Sequence, residues 1–272
     1  ITKKKIFLTL LKKTKKSIKE KKNVFHSLSE DFKLNFNLKE LKKYKKYKRI
    51  ITIGFGGSIL GTQAINSFLK KTNKELIFIN NLNPDQIKKI NNLKNLKNSL
   101  FLIISKSGNT IELLSIINFL KKNANFNKDN SLIITDDKKS SLSLFAKKNK
   151  IKIIFHRNYI GGRYSIFSET ALVPCYLMGI NIFKLKKNIQ KFLNKKKYIL
   201  IKNLINISKV YKSKKINSII LLNYCNGLEY FMLWCQQLIA ESLGKKGKGI
   251  IPSISLMPRD NHSLLQLYLD GP

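Results

Sequence analysis

Apolar residues along this chain fall into two registers. Short, almost uninterrupted runs occur at Ile50 to Ile53, Leu76 to Ile79, Leu100 to Ile104, Leu132 to Ile134 and Ile151 to Phe155, with the length and branched-residue content of strands. Leu100 to Ile104 is so apolar that both of its faces are predicted to be buried. Apolar residues at helical spacing predict helices from about Ser58 to Leu69 and from Ile111 to Lys121. Short apolar strands alternating with helices predict an α/β fold, a doubly wound parallel sheet flanked by helices. Ahead of it, residues 1–48 are Lys-rich and lack Gly and Pro. Phe7, Leu10, Leu11 and Ile18 lie there at helical spacing, predicting two amphipathic helices. After Gly162 the pattern is helical through Leu177, and a Lys- and Asn-rich stretch follows from Lys184 to Lys197. A strand from Asn217 to Leu222 and a helix from Leu228 to Leu243, stopped by Gly244, come next. The expected organisation is an N-terminal helical segment at 1–48, a first α/β domain at 49–183 and a helical connection at 184–215. The start of a second domain of the same type, at 216–272, is expected to be truncated.

Composition narrows the class. The 272 residues are 43% hydrophobic, 25% charged and 10% aromatic, which is globular rather than disordered. The longest apolar run, Tyr230 to Cys235, is far short of the roughly eighteen residues of a membrane span. Lysines interrupt the first apolar run, so no signal peptide is visible, and without an initiating Met the chain reads as truncated at both ends. Cys175, Cys225 and Cys235 lack the paired spacing of zinc or disulfide frameworks. A cytoplasmic, reduced protein without metal is expected.

Charge changes the picture less than its size suggests. Fifty-three basic against 15 acidic residues give +38, a balance that points towards nucleic acid or an anionic membrane. Yet 49 of the basic residues are Lys and only 4 are Arg, whereas base and phosphate recognition favours the bidentate Arg fork. The lysines are spread through every segment, instead of alternating with aromatics on one face. They are expected to be a solvated surface, with neither nucleic acid nor membrane as partner.

In so biased a chain the rare residues carry the information. Of 13 glycines, four lie between Gly54 and Gly61, two are Gly161 and Gly162, and three fall between Gly244 and Gly249. Gly54-Phe55-Gly56-Gly57-Ser58-Ile59-Leu60-Gly61, between strand and helix, offers backbone N–H groups and a hydroxyl to an anion; the alternative is a tight turn. It lacks a Walker lysine and the full dinucleotide spacing. Ser105-Lys106-Ser107-Gly108-Asn109-Thr110 follows the most buried strand, with hydroxyls suited to the oxygens of a phosphate monoester or, more simply, to capping a helix. Arg163, after two glycines, is either a stabiliser of developing negative charge or a surface residue after a turn. Gln237 and Glu241 share a helix face, and Glu241 lies in the last turn, where the dipole opposes a bare carboxylate. That suits a general base, although pairing with Lys245 is the simpler reading. His262 taken alone reads as structural, and His26 and His156 carry no surrounding signal.

Together these motifs resemble the glucose-6-phosphate isomerase, or phosphoglucose isomerase, family. The resemblance covers Gly54 to Gly61, Ser105 to Glu112, Gly161 to Ser168, Gln237 to Lys245 and Asn261 to Gly271, in the family's order. It implies a pair of sugar-isomerase domains and reversible conversion of glucose 6-phosphate to fructose 6-phosphate, without metal or organic cofactor. By position it implies that Gly57 and Ser58 bind sugar phosphate and that Ser105, Lys106, Ser107 and Thr110 form the phosphate cluster, with Glu112 nearby. Arg163 would sit beside the enediolate, Gln237 would contact substrate and Glu241 would move the proton between C2 and C1. His262 would assist ring opening from the neighbouring subunit of a homodimer. Phe55 departs from the family's small aliphatic residue and Ser107 from its common Thr. The family's C-terminal catalytic lysine would fall beyond Pro272. Another sugar-isomerase-domain enzyme, acting on a mannose or aminosugar phosphate, is the nearest alternative. A phosphosugar-binding regulator would need neither Glu241 nor His262.

Overall fold

A computed structural model describes residues 3–69, 72–187, 189–213 and 216–271. The chain opens with α1 (Lys3–Lys19), a 3-10 turn (Val24–Leu28), the single-turn α2 (Leu38–Leu41) and another 3-10 turn (Lys42–Lys46). Only one of the two expected N-terminal helices is long. Past α1 the segment instead lies along the sheet domain, pinned by the Tyr44 hydroxyl on Lys128 O at 3.0 Å and that of Tyr47 on Asp129 O at 2.9 Å. Burial pushes the Tyr44 phenol up to about 12, which keeps it a donor.

The centre is built from β1 (Arg49–Gly54), α3 (Leu60–Leu69), β2 (Glu75–Ile79), α4 (Pro84–Asn91), β3 (Leu100–Ile104), α5 (Ile111–Ala124), β4 (Ser131–Asp136), α6 (Ser141–Lys148) and β5 (Lys152–His156). The five strands are all parallel, in the order β2-β1-β3-β4-β5. The short helices α4 and α6 escape the periodicity argument, but both start on good caps. The Asn83 side chain accepts from Gln86 N ahead of Pro84, and Ser140 and Ser143 cap each other.

Strand alternation divides the core between the two faces of the sheet. Leu100, Leu102 and Ile104 face a cluster with Ile50, Ile134 and Leu172, while Phe101 and Ile103 face Ile53, Ile116, Leu120 and Leu142. All of β3 is buried, as its apolar run predicts, and each such side chain contributes about 1.5–3 kcal/mol relative to exposure.

After a 3-10 turn at Gly162–Phe167, α7 (Glu169–Leu177) packs on α3. Its internal Pro174 has no N–H for the Thr170 carbonyl one turn back, and the Thr62 hydroxyl of α3 supplies the donor at 3.4 Å. The expected connection is itself helical: α8 (Ile182–Lys186), α9 (Ile189–Lys195) and α10 (Lys197–Ser213). Then β6 (Ser218–Asn223), α11 (Glu229–Leu243) and β7 (Ile251–Leu256) form a parallel strand pair with its crossover helix, followed by α12 (Leu265–Asp270). Strand β7 goes unread in the sequence because Pro252, Ser253 and Ser255 disguise it. Helix α11 packs against α3, which brings the two sheets' helices together.

Candidate active site

Strand order decides where a ligand fits. From β1 the chain turns outward to β2 and then crosses back to β3 on β1's other side. The loops leaving the C-terminal ends of β1 and β3 therefore part, opening a crevice at the switch point of the sheet. Those loops are the glycine loop and the Ser105–Thr110 segment.

The Ser105–Thr110 loop is organised around its hydroxyls. Ser105 Oγ lies 2.8 Å from Thr110 Oγ1, and Ser107 Oγ lies 3.3 Å from the same atom. Gly108 N donates to Ser105 Oγ at 3.1 Å and Asn109 N donates to Ser107 Oγ at 3.2 Å. Gly108 has a φ of +67°, and a Cβ there would lie 2.2 Å from Ser140 Oγ, so only glycine fits. With Phe55, Ser58, Ile104, Lys106, Asp136 and Lys138, the hydroxyls line a cleft of about 400 Å³ at the start of α5. Glu112, in the first turn of α5, is exposed and outside this lining.

A second cluster stands across the glycine loop. Arg163 Nη1 donates to Glu241 Oε2 at 2.9 Å, and Gln237 Nε2 donates to Glu241 Oε1 at 2.7 Å. Arg163 Nε also donates to Ser242 Oγ at 3.0 Å, and the Trp234 indole N–H donates to Arg163 O at 2.8 Å. The simpler expectation, Glu241 paired with Lys245, gives way to an ion pair with Arg163, 78 residues earlier in the chain. Burial opposes the Arg163 charge, but its interactions with Tyr164 and Glu241 outweigh burial and hold the guanidinium above its usual range. Gln237 Oε1 is buried and has no hydrogen-bond partner among the described residues.

The glycine loop joins these clusters. Gly56 has a φ of +52° and lies against the Gln237 amide, while Ser58 faces the hydroxyl cleft. A Cβ on Gly57 would stand 2.2 Å from Gly162 C, so the two glycine turns meet backbone to backbone. Ser165, to which sequence reasoning gave no role, ties them: its hydroxyl is 2.7 Å from Gly162 O and 3.1 Å from Gly57 O. Its place in the Gly161 to Ser168 motif was the available signal.

His262 ends a 3-10 turn (Arg259–His262), exposed and without a hydrogen bond to Glu241, Arg163 or Gln237 among the described residues. Asp260 fixes that turn by accepting from Arg259 Nε, Ser255 Oγ and Leu256 N, which hold its carboxyl down at about 2. His156 is buried between Ile160 O, 3.0 Å from Nε2, and Glu169 Oε2, 3.3 Å from Nδ1. Among the described residues, no three His, Cys, Asp or Glu side chains are grouped as a metal site needs, and no helix is long and apolar enough to cross a membrane. All three cysteines are free.

A five-stranded parallel sheet flanked by helices, with loops that part at its switch point, has the sugar-isomerase fold. The sequence profile of the phosphoglucose isomerase family matches residues 9–251, and the chain belongs to that family. It is 36% identical over 243 residues to the glucose-6-phosphate isomerase of Methanocaldococcus jannaschii, covering 86% of this chain and 60% of that one. To the Campylobacter jejuni glucose-6-phosphate isomerase it is 34% identical over 243 residues, covering 84% and 59%. The chain thus spans about 60% of the length of these curated relatives. Among solved structures, a hypothetical protein from Thermus thermophilus shares the fold, with a TM-score of 0.78 at 21% identity over 98% of this chain and 68% of that one.

Proposed function

We propose that the protein carrying this chain interconverts glucose 6-phosphate and fructose 6-phosphate through an enediolate, an aldose–ketose isomerisation of glycolysis and gluconeogenesis. The observation that carries this reading is the Glu241–Arg163–Gln237 cluster, set across the glycine loop from the hydroxyl cleft. Phosphate enters the cleft, held by the hydroxyls of Ser105, Ser107 and Thr110, by the loop around Lys106 and by the turn at Gly57 and Ser58. Binding there orients the sugar at a distance from the reacting carbons. With the sugar open, the Glu241 carboxylate takes the C2 proton, and the C–H electrons move into the new double bond as the C1 carbonyl oxygen becomes negative. Arg163 stabilises that oxygen, and Gln237 accepts a sugar hydroxyl. The C2 hydroxyl then passes its proton to the C1 oxygen, and as the C2 carbonyl forms the double-bond electrons take the proton back from Glu241 at C1, so one carboxylate serves both halves. His262 of the partner subunit opens the ring in a homodimer. Residues 49–183 are read as one sugar-isomerase domain and 216–272 as part of a second. The reaction runs in the cytoplasm without a metal.

A coupled assay of fructose 6-phosphate formation by the full-length protein in excess chelator tests the reaction; activity that vanishes with chelation and returns with a divalent ion overturns the metal-free scheme. Ser107→Ala/Thr110→Ala tests the cleft. Each lost charge-assisted bond is worth about 1.5–3 kcal/mol, so the inhibition constant of a sugar-phosphate analogue should rise by at least about 100-fold. Unchanged affinity in the folded double variant places the phosphate elsewhere.

A further inference from the structure

We propose that Lys138, and not the side chain of Lys106, supplies the cation of the phosphate cleft, with Lys106 acting as a strut for the loop that leads to Arg163. This rests on the reading of that cleft as the phosphate site. Lys106 stands inside the serine–threonine motif and lines the cleft, but its ammonium is already committed. It donates to Asn158 O at 2.7 Å and to Ile160 O at 3.0 Å. Those carbonyls immediately precede Gly161, Gly162 and Arg163, so the bonds fasten the approach to the guanidinium. Turning the ammonium into the cleft would leave both carbonyls without this donor.

Lys138 is placed the other way. It follows the end of β4, lines the same cleft and is exposed, and its ammonium has no hydrogen-bond partner among the described residues. Beside it, Asp136 also lines the cleft and is only 6% exposed, and its Oδ1 is buried without a partner. A buried carboxylate oxygen at the edge of a phosphate site is costly unless a donor reaches it. An ammonium drawn between Asp136 and a bound phosphate satisfies both, and Lys138 is the cleft's only side-chain cation among the described residues with its donors free. Lys suits this place better than Arg, because its three donors on a flexible stem serve two acceptors at once.

The test is equilibrium binding of inorganic phosphate to the full-length protein by calorimetry, which does not require turnover. Lys138→Met should raise the dissociation constant about tenfold or more, the loss of one charge-assisted bond, and Lys138→Arg should recover most of it. Lys106→Gln, which removes charge but keeps a donor, should leave phosphate affinity within about threefold of wild type. In that variant turnover of fructose 6-phosphate should fall while KM changes little, because the disturbed element carries Arg163. The proposal is overturned if Lys138→Met binds phosphate within about threefold of wild type, or if folded Lys106→Gln loses tenfold or more. Wild-type phosphate affinity in Ser107→Ala/Thr110→Ala is a different failure: it removes the phosphate from this cleft and the proposal with it.

Discussion

Glu241→Gln in the full-length protein is expected to lower turnover towards the upper end of the 10²- to 10⁴-fold range of general-base catalysis, while binding of a sugar-phosphate analogue survives. The substitution keeps the side chain's shape and can still meet Arg163, but it has no lone pair basic enough to take the C2 proton. The hydroxyl cleft proposed to hold phosphate lies across the glycine loop and is untouched by the change. Solvent exchange separates the base from a merely structural Glu: the variant should not wash deuterium from heavy water into C2 of glucose 6-phosphate. Exchange at the wild-type rate assigns the base to another residue.

Gly57→Ala should also lower turnover, by less, without touching a charged group. The added methyl would stand 2.2 Å from Gly162 C and 2.4 Å from Gly162 O, and backbone on both sides leaves no flexible side chain to yield. Overpacking of this kind costs about 1–3 kcal/mol of stability. Relief requires the two glycine turns to separate, carrying Arg163 away from the loop that holds Ser58. A misplacement of about 1 Å in such a site lowers turnover by about 100-fold. Thermal unfolding and kcat measured together check both halves. A variant with wild-type kcat would mean that the turns part without disturbing Arg163.

The strands of the five-stranded sheet were legible because buried parallel strands write themselves as short apolar runs, and Leu100 to Ile104 is the clearest. Burial also marked where the two loops of the candidate site begin, since Gly54 and Ser105 follow directly on apolar runs. What stayed hidden depends on distance along the chain. No local pattern states that β3 lies beside β1, or that Glu241 meets Arg163 and not the nearby Lys245. Likewise, the motif around Lys106 shows an ammonium in a serine–threonine loop, and only the fold shows it fastened to Asn158 and Ile160. Helix α4 and strand β7 were missed for a local reason: the first is short, and the second has a proline at its second position and alternates small polar residues.

One consequence of the packing concerns substrate length. The carboxylate rides on α11, between β6 and β7, whereas the hydroxyl cleft belongs to the larger sheet, and α3 is the helix lying against α11. The two are therefore set apart like the jaws of a caliper, with the packing of α3 on α11 fixing the opening. On the proposed reading, discrimination between longer and shorter sugar phosphates would be held in side-chain volume along that interface, and repacking it should change the ratio of kcat/KM for two such substrates. Altering the length of substrate accepted would mean repacking α3 against α11 and leaving every polar residue of the site in place.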